Sequence, residues 1–268
     1  MSSPPVALTI AGFDTSAGAG LQADLLTFHN YGFHPLTAMT SLVVETPLEV
    51  TATRPVSATD LENQVHLLLH TYPIATIKIG LLAHPDQVMV LAKLLKNLDL
   101  PIVLDPVGIS SSGSAMQMAG TSEALAEHLA PLASLITPNL PEALSLSQEP
   151  TNTAPEELAR RLSRQLRCAV LLTGGHHGEG DEISDFLVWE EGEATFRASR
   201  LSSPASLHGT GCVLSSAISA ELGLGRGLEK AVAGGRDYLR SSLAHYHSFP
   251  SQEPLLALNH HLRSSHDE

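Results

Sequence analysis

Short apolar runs alternate along this chain with segments of helical spacing, and that alternation limits its fold more than any other feature. Residues 6–11 read as a buried strand, followed by a glycine-rich turn from Gly12 to Gly20 and a helix over about 21–30. Residues 34–44 look like a second strand. Residues 59–70 carry Leu61, Val65, Leu68 and Leu69 on one helical face. A strand over 74–79, a helix over 86–96 and a short strand over 102–104 follow, the last ending at Asp105. Residues 135–137 form another short strand, met at once by Pro138 and Asn139. A helix over 156–166 leads into a strand over 169–173. Residues 186–189 and 194–197 flank Glu190-Glu191-Gly192-Glu193 and read as a hairpin. Helices over 212–222 and 228–245 close the chain, and the tail from 263 is expected to fray. This order predicts an α/β fold with a largely parallel sheet covered on both faces. Ligands in such sheets bind beyond the carboxyl ends of the strands. Asp105, Asn139 and Thr173 all fall at such ends, which is the first pointer to a site.

The chain has 268 residues, a length one α/β domain over 1–268 can hold. With 43% apolar and 16% charged residues the composition is globular. No apolar run approaches the ~18–20 residues of a membrane span. The opening Met1-Ser2-Ser3-Pro4-Pro5 lacks the basic start of a secretory signal, so the cytoplasm is the expected location. Fifteen Lys and Arg against 28 Asp and Glu give a formal charge of −13. Such a surface disfavours nucleic acid and anionic membranes as partners. It does not disfavour ATP, because a local nest of amides binds phosphate even in an acidic protein. Cys168 and Cys212 are too few for a disulfide framework. The 14 histidines are scattered, and His176-His177 and His260-His261 are adjacent rather than i, i+4, which disfavours structural zinc.

The strongest local signal is His208-Gly209-Thr210-Gly211-Cys212 before the small, apolar run 213–222. Two glycines permit a tight turn, and the helix that follows points free N–H groups back at it. That arrangement suits a phosphoryl anion; it also suits an ordinary loop before a core helix. Cys212 falls in the first turn of that helix, where a thiol is expected to ionise more readily and to act as a base or a nucleophile, unless it is only a small buried hydrophobe. Cys168 lacks such surroundings and reads as a buried hydrophobe. Asp105 at a strand end can serve magnesium. Asn139 and Glu142 read either as a reciprocal helix cap or, beside Asp105, as part of the same acidic group. Gly12-Phe13-Asp14-Thr15-Ser16-Ala17-Gly18-Ala19-Gly20 lacks the G-x-G-x-x-G spacing of a dinucleotide turn, and no G-x-x-x-x-G-K-[ST] is present.

Taken together these segments resemble the ribokinase-like superfamily, and within it the hydroxymethylpyrimidine/phosphomethylpyrimidine kinases. The resemblance rests on Ala7–Asp14 with Gly18–Asp24, on Lys78-Ile79-Gly80-Leu81, on Asp105-Pro106-Val107, on Leu135–Glu142 and on His208–Cys212. These run in order over residues 7–240. The resemblance implies a three-layer α/β/α sandwich with a mostly parallel central sheet, a homodimer, and use of ATP and Mg²⁺. It implies phosphorylation of 4-amino-5-hydroxymethyl-2-methylpyrimidine and then of its monophosphate, in thiamine biosynthesis. Cys212 would be the base, with the amides of Gly209, Thr210 and Gly211 forming an anion hole around it. Asp105 and Glu142 would serve the metal. Glu45, Gly80, Leu81, Val107 and Gly12 would line the pyrimidine pocket, and Asn139, Thr173 and Gly175 the nucleotide.

Three positions depart from the family pattern. Glu45 stands where the family has Gln; an ionised Glu accepts hydrogen bonds but donates none. The loop 109–113 lacks the lysine found in many members. A Lys-Gly-Gly-His element is here Thr173-Gly174-Gly175-His176. His176, the metal and backbone amides are the expected substitutes for the missing charges. Two other readings follow: a pyridoxal or pyridoxine kinase, and a catalytically weak ligand-binding protein that kept the fold.

Overall fold

The computed structural model describes residues 3–109, 113–147, 149–174, 182–201, 207–250 and 255–260. The elements run β1 (Val6–Asp14), α1 (Gly20–Asn30), β2 (His34–Thr46), β3 (Glu49–Pro55), α2 (Ala58–Thr71), β4 (Ile74–Ile79), α3 (Pro85–Leu95) and β5 (Ile102–Leu104). Then come α4 (Thr121–Ala124), continued by irregular helical turns through Leu132, β6 (Leu135–Ile136), α5 (Leu140–Ser147), α6 (Pro155–Leu166) and β7 (Ala169–Leu172). The chain goes on through β8 (Glu182–Trp189), β9 (Gly192–Ser199), α7 (Thr210–Gly223) and α8 (Leu228–Ala244) to a small ribbon of β10 (His247–Phe249) and β11 (Leu255–Ala257).

Nine strands form one sheet in the order β3-β2-β1-β4-β5-β6-β7-β8-β9. The pairs from β2 through β7 are parallel, while β3, β8 and β9 add antiparallel edges. The parallel strands are apolar on both faces because helices cover both. In β5, Ile102 and Leu104 join the large core under α2, α3, α5 and α6, while Val103 between them faces α7 and α8. That two-residue alternation splits one strand between two cores. The result is the expected three-layer sandwich.

Helix α6 shows how a surface helix is specified. Leu158, Ala159, Leu162 and Leu166 are buried, Glu156 and Glu157 occupy the first turn, and Arg164 the last. Helix α7 is different: every residue from Val213 to Glu221 is buried. Its serines and alanines let it lie close to the sheet, where Ser219 Oγ meets Thr76 Oγ1 at 2.8 Å.

Strand β1 is flanked by β2 and β4, so the chain order reverses there. Such a switch point opens a crevice at the carboxyl ends. Those ends carry Asp14, Glu45, Asp105, Asn139 and Thr173; Asn139 and Thr173 form a parallel bridge of their own.

Candidate active site

A cavity of about 980 Å³ lies along these strand ends. Gly12, Glu45, Leu81, Val107, Asp105, Asn139, Glu142, Thr173, Gly209, Thr210, Gly211 and Cys212 all line it. Gly80 does not. It sits behind the wall, where a Cβ would come within 2.9 Å of Lys78 Nζ. Its lack of a side chain makes room for that ammonium rather than for a ligand. Gly175 and His176 lie outside the described residues, as do Ser110, Ser111 and Ser112 and the tail from 261.

Gly209 takes φ 85°, and a Cβ there would fall 1.9 Å from the Gly18 carbonyl oxygen. Only glycine satisfies both conditions. Helix α7 then starts with no side-chain cap. Its first-turn amides have no acceptor within the helix and face the cavity, a seat for an anion. Gly211 lies beside Asp105: a Cβ on it would be 3.8 Å from Asp105 Oδ2. Ser215, one turn into α7, donates to the same carboxylate at 3.1 Å.

Asp105 and Glu142 form an acidic pair on the cavity wall. Burial pushes the Asp105 carboxyl up, against the opposing charge of Lys78. Burial, with the Asp105 charge added, pushes Glu142 up to about 8, although amides of Asn139 and Gly108 donate to it. Asn139 N donates to Glu142 Oε2 and Glu142 N donates to Asn139 Oδ1, both at 2.9 Å. The reciprocal cap and the acidic pair therefore coexist.

Cys212 corrects an expectation. Its thiol is pushed up to about 12, because burial outweighs the nearby Lys78 ammonium and the Gly20 amide that donates to the sulfur. The helix terminus favours thiolate; desolvation of this partly buried thiol and the negative charges of Asp105 and Asp24 disfavour it more. Cys168 is raised as well, to about 12, by burial alone.

Beneath the cavity lies a buried ionic network that no local sequence pattern announces. Lys78 is fully buried, and its Nζ donates to both oxygens of Asp24 at 2.9 Å. Thr9 and Ser216 add hydroxyl donors to Asp24 at 2.5 and 2.6 Å. Asp105 Oδ2 is 4.0 Å from the same ammonium.

A second group of this kind is Asp14 with His208. Asp14 is 194 residues away in sequence, yet its Oδ2 lies 3.0 Å from His208 Nε2. The same carboxylate accepts from the amides of Ser16, Gly18 and Ala19 and from Ser16 Oγ. Burial works against this charge, but the bonds from His208 and Ser16 outweigh it and hold the carboxyl below the usual range. This clamp ties the 14–20 loop to the anion turn.

At the other end, Arg200, Arg236 and Arg240 line the wall. Arg236 donates to Asp185 Oδ2 at 2.7 Å, and Asp185 Oδ1 accepts from the Gly174 amide at 2.7 Å. Arg236 of α8 thus reaches, through Asp185, the turn after β7, where lysine is missing. The i, i+4 spacing of Arg236 and Arg240 is visible in the sequence; the link of Arg236 through Asp185 to that turn is not. Among the described residues, no helix is long and apolar enough to cross a membrane.

The arrangement joins an anion seat, two carboxyls and a mostly apolar pocket. Residues 14–254 match the family model for phosphomethylpyrimidine kinase. A hydroxymethylpyrimidine/phosphomethylpyrimidine kinase of Haemophilus influenzae is 32% identical, over 91% of this chain and 93% of its own. An ADP complex of Bacillus subtilis pyridoxal kinase superposes with a TM-score of 0.86 at 30% identity, covering 96% of this chain and 98% of the other. A phosphomethylpyrimidine kinase from Clostridium difficile gives 0.77 at 30% identity, covering 89% and 99%. With the fold, the Gly209–Cys212 turn and these matches in agreement, the chain belongs to the phosphomethylpyrimidine kinase family.

Proposed function

We propose that this chain transfers the γ-phosphoryl group of ATP to the hydroxymethyl oxygen of 4-amino-5-hydroxymethyl-2-methylpyrimidine. It then transfers a second to the resulting monophosphate. The observation that carries the reading is the Gly209–Cys212 turn, which faces Asp105 at one end of a cavity with Glu45 at its other wall. The name of the Haemophilus relative and the ADP bound to the Bacillus structure support acceptor and donor respectively.

In the first step the alcohol oxygen bonds to the γ-phosphorus and the bond to the β-phosphate oxygen breaks, releasing ADP. The alcohol proton passes to Cys212 as thiolate. Burial keeps the thiolate a minority form, and the same burial makes it a strong base. The amides of Gly209, Thr210 and Gly211 meet the charge on the transferring group, where preorganised donors count most. In the second step the acceptor is already an ionised phosphate oxygen, and no base is required.

The acidic pair fits Mg²⁺. Asp105 and Glu142 are buried oxygen ligands whose mutual repulsion a divalent cation would relieve. They would hold the ion at the phosphates, and bound there it would neutralise the phosphate oxygens. Asn139, Thr173 and the arginines of α8 line the nucleotide end, and Gly12, Leu81 and Val107 the ring pocket.

The pyridoxal kinase similarity keeps a second acceptor in view. The pyrimidine carries an amine, from which a Glu45 oxygen accepts whether the carboxyl is ionised or protonated; pyridoxal carries no such amine. ATP-dependent turnover of both acceptors, measured side by side, should give a higher kcat/KM for the pyrimidine. A higher value for pyridoxal would reassign the acceptor and leave the phosphotransfer machinery unchanged.

A further inference from the structure

Glu45, Asp14 and His208 bring three ligand-type atoms within 4.8 Å of one another at the inner end of the ring pocket. The cluster invites a metal, but Asp14 has no capacity left for one. Its two oxygens already take contacts from three amides, one hydroxyl and one imidazole, more than the roughly four lone-pair sites of a carboxylate. Glu45 is the odd member. Its side chain is only 5% exposed and borders the cavity, with His208 Nε2 3.9 Å from its Oε2. Among the described residues no group donates to its carboxyl or accepts from it. Thr15 holds its backbone instead, through Oγ1 to both N and O of Glu45. A buried acid with a fixed backbone and an unused head group, aimed into a pocket, awaits a ligand.

We propose that Glu45 grips the acceptor ring through one shared proton: its carboxyl donates to a ring nitrogen while its second oxygen accepts from the neighbouring exocyclic amine. The inference rests on the acceptor reading above and adds the chemical edge that is read, an amine beside an unsubstituted ring nitrogen. A protonated carboxyl offers one donor and one acceptor, the same pair an amide side chain offers.

The surroundings favour the proton. Burial pushes Glu45 up to about 7, the Asp14 charge adds to this, and His208 opposes it. From β1 comes Asp14 and from the segment before α7 comes His208. Strand β3 sets Val50 opposite Glu45 and leaves Glu49 exposed. Leu81, Val107 and Met116 close the pocket with apolar groups. Lys78 and Asp105 on the floor are already tied to Asp24 and Ser215.

The sign follows. Below about 7 the carboxyl keeps its proton and binds the ring; above it, one proton must be taken up on binding. The dissociation constant of the hydroxymethylpyrimidine, measured by calorimetry without ATP, is expected to weaken by about 50-fold between pH 7 and pH 9, as one-proton linkage requires. In Glu45→Gln, whose amide donates at every pH, the constant is expected to stay flat over that range. A flat profile in the unmodified protein, or a profile in Glu45→Gln that follows it, overturns the shared proton and leaves the acceptor reading standing. Failure of both proteins to bind the pyrimidine at any pH overturns the acceptor reading and this inference with it.

Discussion

Cys212→Ala slows phosphorylation of the alcohol by roughly 10²–10⁴-fold, the usual worth of a general base, and leaves phosphorylation of the monophosphate far less affected. The asymmetry comes from the acceptors. An alcohol must lose a proton as it attacks, whereas a phosphate oxygen has none to lose. Cys212 is well placed to take the alcohol's proton. It sits in the first turn of α7, borders the cavity and takes a hydrogen bond from the Gly20 amide. Separate rate measurements with each acceptor, at saturating ATP, check this. Equal losses in both steps would instead make Cys212 a packing residue of the anion turn.

The second large effect is on stability. Lys78→Met should destabilise the protein by roughly 3–5 kcal/mol, because it leaves the Asp24 carboxylate buried without its cation. Asp24 and Lys78 are both fully buried, and two hydroxyls alone remain to hold the charge. For a protein of this size that loss corresponds to a fall in Tm of roughly 10 °C. Removing both charges, as Lys78→Met with Asp24→Leu, should recover at least half of it, since a neutral pair of similar volume carries no desolvation cost. Thermal unfolding of the single and double variants tests this. Losses that simply add would show that packing, not charge pairing, is what Lys78 supplies.

Most of the sheet is legible in the sequence because its strands are short and continuously apolar. The strands over 74–79 and 102–104 have the expected bounds. Strand β1 runs past its expected end at Ala11. Gly12-Phe13-Asp14 carries turn residues, yet the chain there stays paired with β2 through Asp14. Strand β3 has no clear signal because Glu49–Pro55 is polar and ends in proline, which an edge strand tolerates. The helical turns over 121–132 are hidden because they pass from α through wider turns to a 3-10 turn at Pro131, so no single period marks them. The β10–β11 ribbon has too few residues for a periodic signal.

The site divides in the same way. Residues at strand ends and in the Gly209–Cys212 turn are legible because local sequence fixes them. The Asp14–His208 clamp and the Lys78–Asp24 pair are not, because each joins residues far apart in sequence across layers of the fold. Cys212 lies beside the cavity as expected, but its acidity runs opposite to expectation. A helix terminus is visible in sequence, whereas the packing around a partly buried thiol is a property of the assembled layers. Gly80 departs from its expected place for a related reason: the Lys78 side chain, only two residues earlier, fills the space beside it.

The most direct test supplies the protein with ATP, Mg²⁺ and 4-amino-5-hydroxymethyl-2-methylpyrimidine and follows the products as mono- and diphosphate over time. The expected result is a monophosphate that accumulates first and is then converted to the diphosphate, with one ADP released per transfer. The contrary result is ADP release without phosphorylated pyrimidine, or no reaction at all.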